Sequence, residues 1–205
     1  MQKAPLMMFA TLAAVALAAL VAAPALSQDA TATHSPANKV SAIGSTVEVA
    51  APGETLTILS GTMKTSSPTD LILSVSLECS ILTQVTTVGN DDQQAFGRVE
   101  VWVEIDGRPV GVTDGDDGRV VFCDRAHRQT TSLFDDEDAT ITSYLATRTA
   151  NAFNWVALNT GSGNHVIEVK AHFTEEATDG AVAKAVVGKR TFVAEPTKLA
   201  NDVTV

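Results

Sequence analysis

The residues best suited to chemistry fall in a few short clusters. "DGDDG" (Asp114 to Gly118) gathers carboxylates and glycines in the manner of a calcium loop. An EF-hand loop needs side-chain oxygens at positions 1, 3 and 5, glycine at 6 and glutamate at 12. Counted from Asp114, the fifth position is Gly118, which brings no side-chain oxygen, so that pattern fails. A looser surface Ca²⁺ site shared with Asp91 or Asp92 stays open. The histidines are His34, His127, His165 and His172. His165 and His172 lie an odd number of residues apart, so on one strand they point to opposite faces and share no metal. Cys123 and His127 stand close in sequence, but there is no H-x-x-x-H or C-x-x-C spacing, which argues against zinc. "GSG" (Gly161 to Gly163) lacks the G-x-S-x-G elbow, and no spacing brings Ser162 or Ser132 to a histidine and a carboxylate. Carboxylate pairs for glycosidic cleavage carry no information in so acidic a chain, and no glycine-rich phosphate cradle is present. The sequence thus assigns no catalytic, cofactor-binding or metal-ligating residue.

One aromatic stands out. Trp102 shares a strand face with Glu100 and Glu104, opposite Val101 and Val103. On an exposed sheet face such a ring can stack on a sugar, so Trp102 is the candidate ligand-stacking residue. The alternative is a ring covered by the helix or a terminal segment.

Cys79 and Cys123 are the only cysteines. In an exported chain an isolated pair forms a disulfide, and two cysteines allow one intramolecular pairing. Closing a loop of this length stabilises by about 4 kcal/mol on the chain-entropy argument.

Export is expected from the first residues. A cationic start with Lys3 precedes the uncharged apolar run Leu6 to Ala23, and Pro24 and "ALS" (Ala25 to Ser27) follow. This is the layout of a signal peptide over residues 1–27, cleaved before Gln28. Residues 28–45 are rich in Ala, Thr, Ser, Pro and Asn without apolar period, which predicts a flexible lead-in. Residues 46–205 then make one domain. With 14 Lys+Arg against 24 Asp+Glu the chain carries −10, and removing Lys3 makes it more negative. Such a surface argues against nucleic acid and, once the signal is gone, against anionic membrane.

Within the domain the apolar period is two. "LILSVSLECSIL" sets Leu71, Leu73, Val75, Leu77, Cys79 and Ile81 on one face and serines and Glu78 on the other. Val99, Val101, Val103 and Ile105 share a face ahead of Asp106-Gly107, a type I′ hairpin signal. "RVVFCDR" places Val121 and Cys123 on one side. Between Ser132 and Ala150 the spacing of Ile141, Tyr144, Leu145 and Arg148 predicts one short helix, with Asp135 to Asp138 in its first turn and Asn151 as C-cap. Phe153, Trp155 and Ala157 then oppose Val156 and Leu158, which predicts a central strand covered on both faces, joined through Asn159 to Asn164 in a hairpin to Ile167, Val169, Ala171 and Phe173. "AVAKAVVGKRTFVAEP" supplies one or two closing strands. About eight strands with regular turns and no βαβ rhythm predict an all-β antiparallel sandwich, Ig-like or jelly-roll in type, with one short helix.

"ANAFNWVALNTGSGNHVIEVKA" and "VGKRTFVAEPTKLANDV" resemble recurring segments of exported bacterial β-rich proteins of unknown function. "GSGNHVIEVKA" also resembles the late hairpin of Ig-like extracellular modules. The resemblance implies a secreted sandwich and carries no functional residue. The leading expectation is a secreted, non-enzymatic β-sandwich that binds or structures an extracellular ligand or protein. The alternatives are a secreted carbohydrate-active enzyme and a Ca²⁺-dependent adhesion module.

Overall fold

A computed structural model describes residues 38–89, 91–113, 115–132 and 139–198. The expected signal peptide and Asp135 to Asp138 lie outside these residues. Nine strands are described: β1 (Val40–Gly44), β2 (Thr55–Thr65), β3 (Thr69–Val88), β4 (Asp92–Ile105), β5 (Arg108–Pro109), β6 (Val120–Thr130), β7 (Thr140–Thr160), β8 (Gly163–Ala177) and β9 (Ala181–Thr197). They form two antiparallel sheets packed face to face, so the all-β sandwich holds. One sheet runs β1-β9-β3-β7. The other runs β2-β8-β4, with β6 and the two-residue β5 along the far edge of β4.

The pairing is nested. β1 pairs with β9, β2 with β8, β3 with β7 and β4 with β6. The chain is thus one long antiparallel hairpin folded over on itself, and the β3–β9 and β4–β8 pairs stitch its arms into sheets. That is jelly-roll rather than Ig-like connectivity. β1 begins within the stretch 28–45 whose composition shows no apolar period.

Alternation along β3 sets the core. Leu71, Leu73, Val75, Leu77, Cys79 and Ile81 are all at most 2 % exposed. They face Val99, Val101 and Val103 of β4 and Ile167, Val169, Ala171 and Phe173 of β8, each fully buried. Burying each of the larger of these side chains is worth about 1.5–3 kcal/mol. Trp155 closes one end of the core, stacked on Phe122 at 6.3 Å and met edge-on by Phe153 at 4.8 Å. Its indole N–H donates to the Gly118 carbonyl at 2.7 Å. Gly118 has φ 69°, and a Cβ there would meet the Val110 carbonyl oxygen at 1.9 Å, so only glycine fits.

Bulges adjust the register where the sheets curve. In β2 the step falls at Ile58, which leaves both Ile58 and Leu59 buried. In β6 it falls at Phe122, which turns inward while Val121, expected beside Cys123, is 45 % exposed. In β9 it brings Arg190 into the interior. Each nitrogen of the buried guanidinium is engaged. The group donates to the carbonyls of Ile58 (2.8 Å), Thr46 (2.8 Å) and Gly188 (3.1 Å) and pairs with Glu48 at 2.7 Å. Arg190 therefore fastens the β1–β2 connection to the sandwich.

Two expectations are corrected here. The helix expected between Ser132 and Ala150 is not formed: from Thr140 onward this stretch is the first half of β7. Thr140, Ile141, Thr142, Thr147 and Thr149 are β-branched, and pairing with β3 over the whole strand outweighs a helical spacing of four residues. Asn151 sits mid-strand, its amide donating to the Phe122 carbonyl. Secondly, β7 and β8 do not pair. They lie in different sheets, and β7 is an edge strand with Val156 43 % and Leu158 62 % exposed.

Cys79 on β3 and Cys123 on β6 are joined by a disulfide between the two sheets, with Cα atoms 6.5 Å apart and 44 residues separating them. Replacing both by Ala is expected to lower unfolding stability by about 4 kcal/mol. Urea titration of the double variant checks this, and wild type in reductant should fall to a similar midpoint.

Candidate functional site

Trp102 projects from the outer face of the β2-β8-β4-β6 sheet, level with Lys170 on β8. It is only 6 % exposed. Its indole N–H donates to Glu104 Oε1 at 2.9 Å, and the Arg119 guanidinium lies 4.3 Å from the ring centroid. Arg119 is itself held by Asp117 at 2.9 Å and lies 3.9 Å from Glu100. The cation thus occupies a face on which a sugar would stack. Displacing it forfeits a contact worth about 1 kcal/mol. Lys170 alongside donates to Thr57 Oγ1 at 2.7 Å and pairs with Glu168 at 3.1 Å. The face is a strip of mutually satisfied charges around a covered indole.

In the acidic loop Asp116 is consumed by the loop itself. Its Oδ1 accepts from the Val112 N–H (2.7 Å) and the Gly118 N–H (2.9 Å). Its Oδ2 accepts from the Thr113 N–H and hydroxyl, both at 2.8 Å. These bonds, the Thr113 hydroxyl first, hold the carboxyl below the usual range. Asp114 lies outside the described residues. Asp92 is held by Arg128 and Thr130, and Asp91 accepts from Gln93 at 2.7 Å. Among the described residues no three His, Cys, Asp or Glu side chains gather to hold a metal ion.

The most organised titratable cluster is one that local spacing does not reveal. Asp106, in the turn after β4, places Oδ2 2.7 Å from His165 Nδ1 at the start of β8. His165 Nε2 lies 2.9 Å from the Gly161 carbonyl and 3.2 Å from Thr65 Oγ1 at the end of β2. The Thr65 hydroxyl donates to the same carbonyl. A carboxylate, an imidazole and a hydroxyl in line have the outline of a nucleophilic triad. The proton inventory is different. Asp106 and a backbone carbonyl are both acceptors, so the arrangement suits the protonated ring, which donates from both nitrogens and in that form keeps no lone pair for a hydroxyl proton. The Asp106 hydrogen bond raises the His165 pKa, with the Gly161 carbonyl adding to it against the opposing effect of burial. In turn His165, then the Val166 N–H at 2.8 Å, holds Asp106 below the usual carboxylate range. The cluster is a clamp between the β4–β5 turn, the β7–β8 connection and β2. It borders an open cleft of about 620 Å³ that also includes Arg108, Val110 and Leu158.

The remaining candidates stay apart. His172 is on the opposite face of β8 from His165, as the spacing predicts, with Nδ1 3.1 Å from Thr55 Oγ1. His127 reaches Ser143 at 3.2 Å, and Cys123 is in the disulfide. His34 lies outside the described residues. Asp106 and Thr65 are 59 and 100 residues from His165, so no local pattern could have joined them. The type I′ signal at Asp106-Gly107 was the one legible part, and both residues do take positive φ, 52° and 76°.

No protein family model matches the chain, and no curated protein matches it. Among solved structures it is similar to a chain of the Gx strain of infectious bursal disease virus, at 14 % identity and TM-score 0.31, over 82 % of this chain and 31 % of that one. A chain of the Gt strain gives 15 % identity and TM-score 0.30, over 85 % of this chain and 38 % of that one. The chain spans about a third of the length of these structures, and likeness at this level carries no argument.

The clamp makes stability depend on pH from two sides. His165 is raised above its unfolded value, so its contribution is full below about pH 6.5 and is lost as pH climbs through the folded pKa. Asp106 is lowered, so its contribution is full above about pH 4 and is lost as pH drops through the folded pKa. His165→Gln is expected to cost about 1–2 kcal/mol at pH 6, with the gap to wild type narrowing in alkaline buffer. Urea midpoints across the pH range check it; a gap constant with pH would refute the charged clamp.

Proposed function

We propose that the protein works outside the cytoplasm as a non-enzymatic jelly-roll module, structural or ligand-binding in role, with an extracellular ligand or protein as partner. The observation that carries this reading is the disulfide between the sheets. Such a bond forms and persists in oxidising compartments, and here it closes the core of the domain. The composition of residues 1–27 supports the same destination. The site geometry supports a non-catalytic role. Both ring nitrogens of His165 lie against fixed acceptors, Asp116 is saturated by its own loop, and Arg119 lies over Trp102. These are arrangements that hold a shape. None of them leaves a base beside a free nucleophile.

The test is to trap thiols by alkylation in the producing cells, fractionate, and map the protein by mass spectrometry. The expected result is a Cys79–Cys123 linked peptide and a chain starting at Gln28, recovered outside the cytoplasm. Free thiols in a chain that still begins at Met1 would overturn the reading. So would turnover of a polysaccharide by the pure protein that disappears on substituting a single carboxylate.

A further inference from the structure

β7 is the longest strand, 21 residues from Thr140 to Thr160, and it lies at an edge. β3 pairs with one of its sides along nearly its whole length. Among the described residues no strand pairs with the other side. Exposed edges usually carry charge, proline, bulges or short strands that block pairing with another chain. The other edges follow that rule. β1 has five residues, β2 carries a bulge and Lys64, and β6 carries Asp124, Arg125 and Arg128. β7 has no proline and one charge, Arg148. The Arg148 side chain turns back over β3 to Glu78, at 2.7 Å, and so is neutralised away from the free side. The strand is also apolar in the open: Tyr144 is 61 % exposed, Leu158 62 %, Val156 43 %, Ile141 42 % and Leu145 38 %. Apolar side chains left in the open along an unpaired edge are a surface that another strand can cover. The monomer supplies one neighbour.

We propose that the second neighbour is β7 of another copy of this chain, paired antiparallel about a two-fold axis near Ala150, so that two four-stranded sheets become one of eight. Three points favour a second copy. About 21 residues at ~3.4 Å per residue and ~10 Å across the edge give roughly 700 Å² per copy, close to the ~800 Å² per partner of a stable interface. The strand is self-complementary: a two-fold at Ala150 sets Tyr144 of one copy beside Val156 of the other, and sets Arg148 beside Ala152 instead of its own image. Finally, on a chain of net charge −10, this strand holds no acid, so the two copies of it bring no like negative charges together.

Sedimentation of the purified, oxidised chain tests this. A dimer is expected at micromolar concentration, and added salt should tighten it by screening the like net charges. Tyr144→Lys with Val156→Lys, both exposed positions, should weaken association about 100-fold or more while leaving the melting temperature of the monomer in place. A wild type that stays monomeric at about 100 µM would overturn the proposal. So would a dimer that survives the lysine pair undiminished, which would place self-association on another surface.

Discussion

The alternating apolar row of β3 is the constraint to which the other elements answer. β3 is central in its sheet, paired to β9 on one side and β7 on the other, and every second side chain from Leu71 to Ile81 is buried. A slip of one residue would turn this row to solvent and bring Ser74, Ser76 and Glu78 inside. The row therefore fixes the register of both neighbours and the spacing to the facing sheet. Cys79 belongs to it, and its bond to Cys123 ties β6 to the same frame.

Polar groups that enter this frame are satisfied where they control chain direction. Arg190 is the clearest case, a buried cation with three carbonyls and a carboxylate around it. Trp155 has its N–H on the Gly118 carbonyl, and His165 has both nitrogens engaged. Each joins segments far apart in sequence, and each would leave an expensive unpaired group if one partner were removed. The same pattern holds for Asp116, whose carboxylate is filled by its own loop, and for Trp102, whose N–H is taken by Glu104.

What the sequence made legible was what period two and turn chemistry encode. The β3 row, the Val99 to Ile105 face, the Asp106-Gly107 turn and the meeting of Cys79 with Cys123 all follow from local pattern. β7 did not follow, because its threonines and alanines have no strong period and Ile141, Tyr144, Leu145 and Arg148 happen to fall at helical spacing. Pairing along β3 decided it, and that is a long-range effect. The same limit hid the Asp106–His165–Thr65 clamp, whose members meet only after three strands are in place. Hydrophobicity on both faces of the Phe153 to Leu158 stretch was read accurately as a pattern, yet it marks an edge and not a centre.

The nesting of strands has a consequence for how the molecule comes into being. Val40 lies opposite Ala194, and Thr55 opposite His172, so the first strands made must wait for the last. Among the described strands only β4 pairs with segments near it in sequence, β5 and β6, and this is the natural place for assembly to start. Closing such distant ends carries a large entropic barrier, and chains of this kind mature in about milliseconds to seconds. Until β8 and β9 have been made, β2 and β1 have none of the strands they pair with, and their backbone hydrogen-bonding groups stay open.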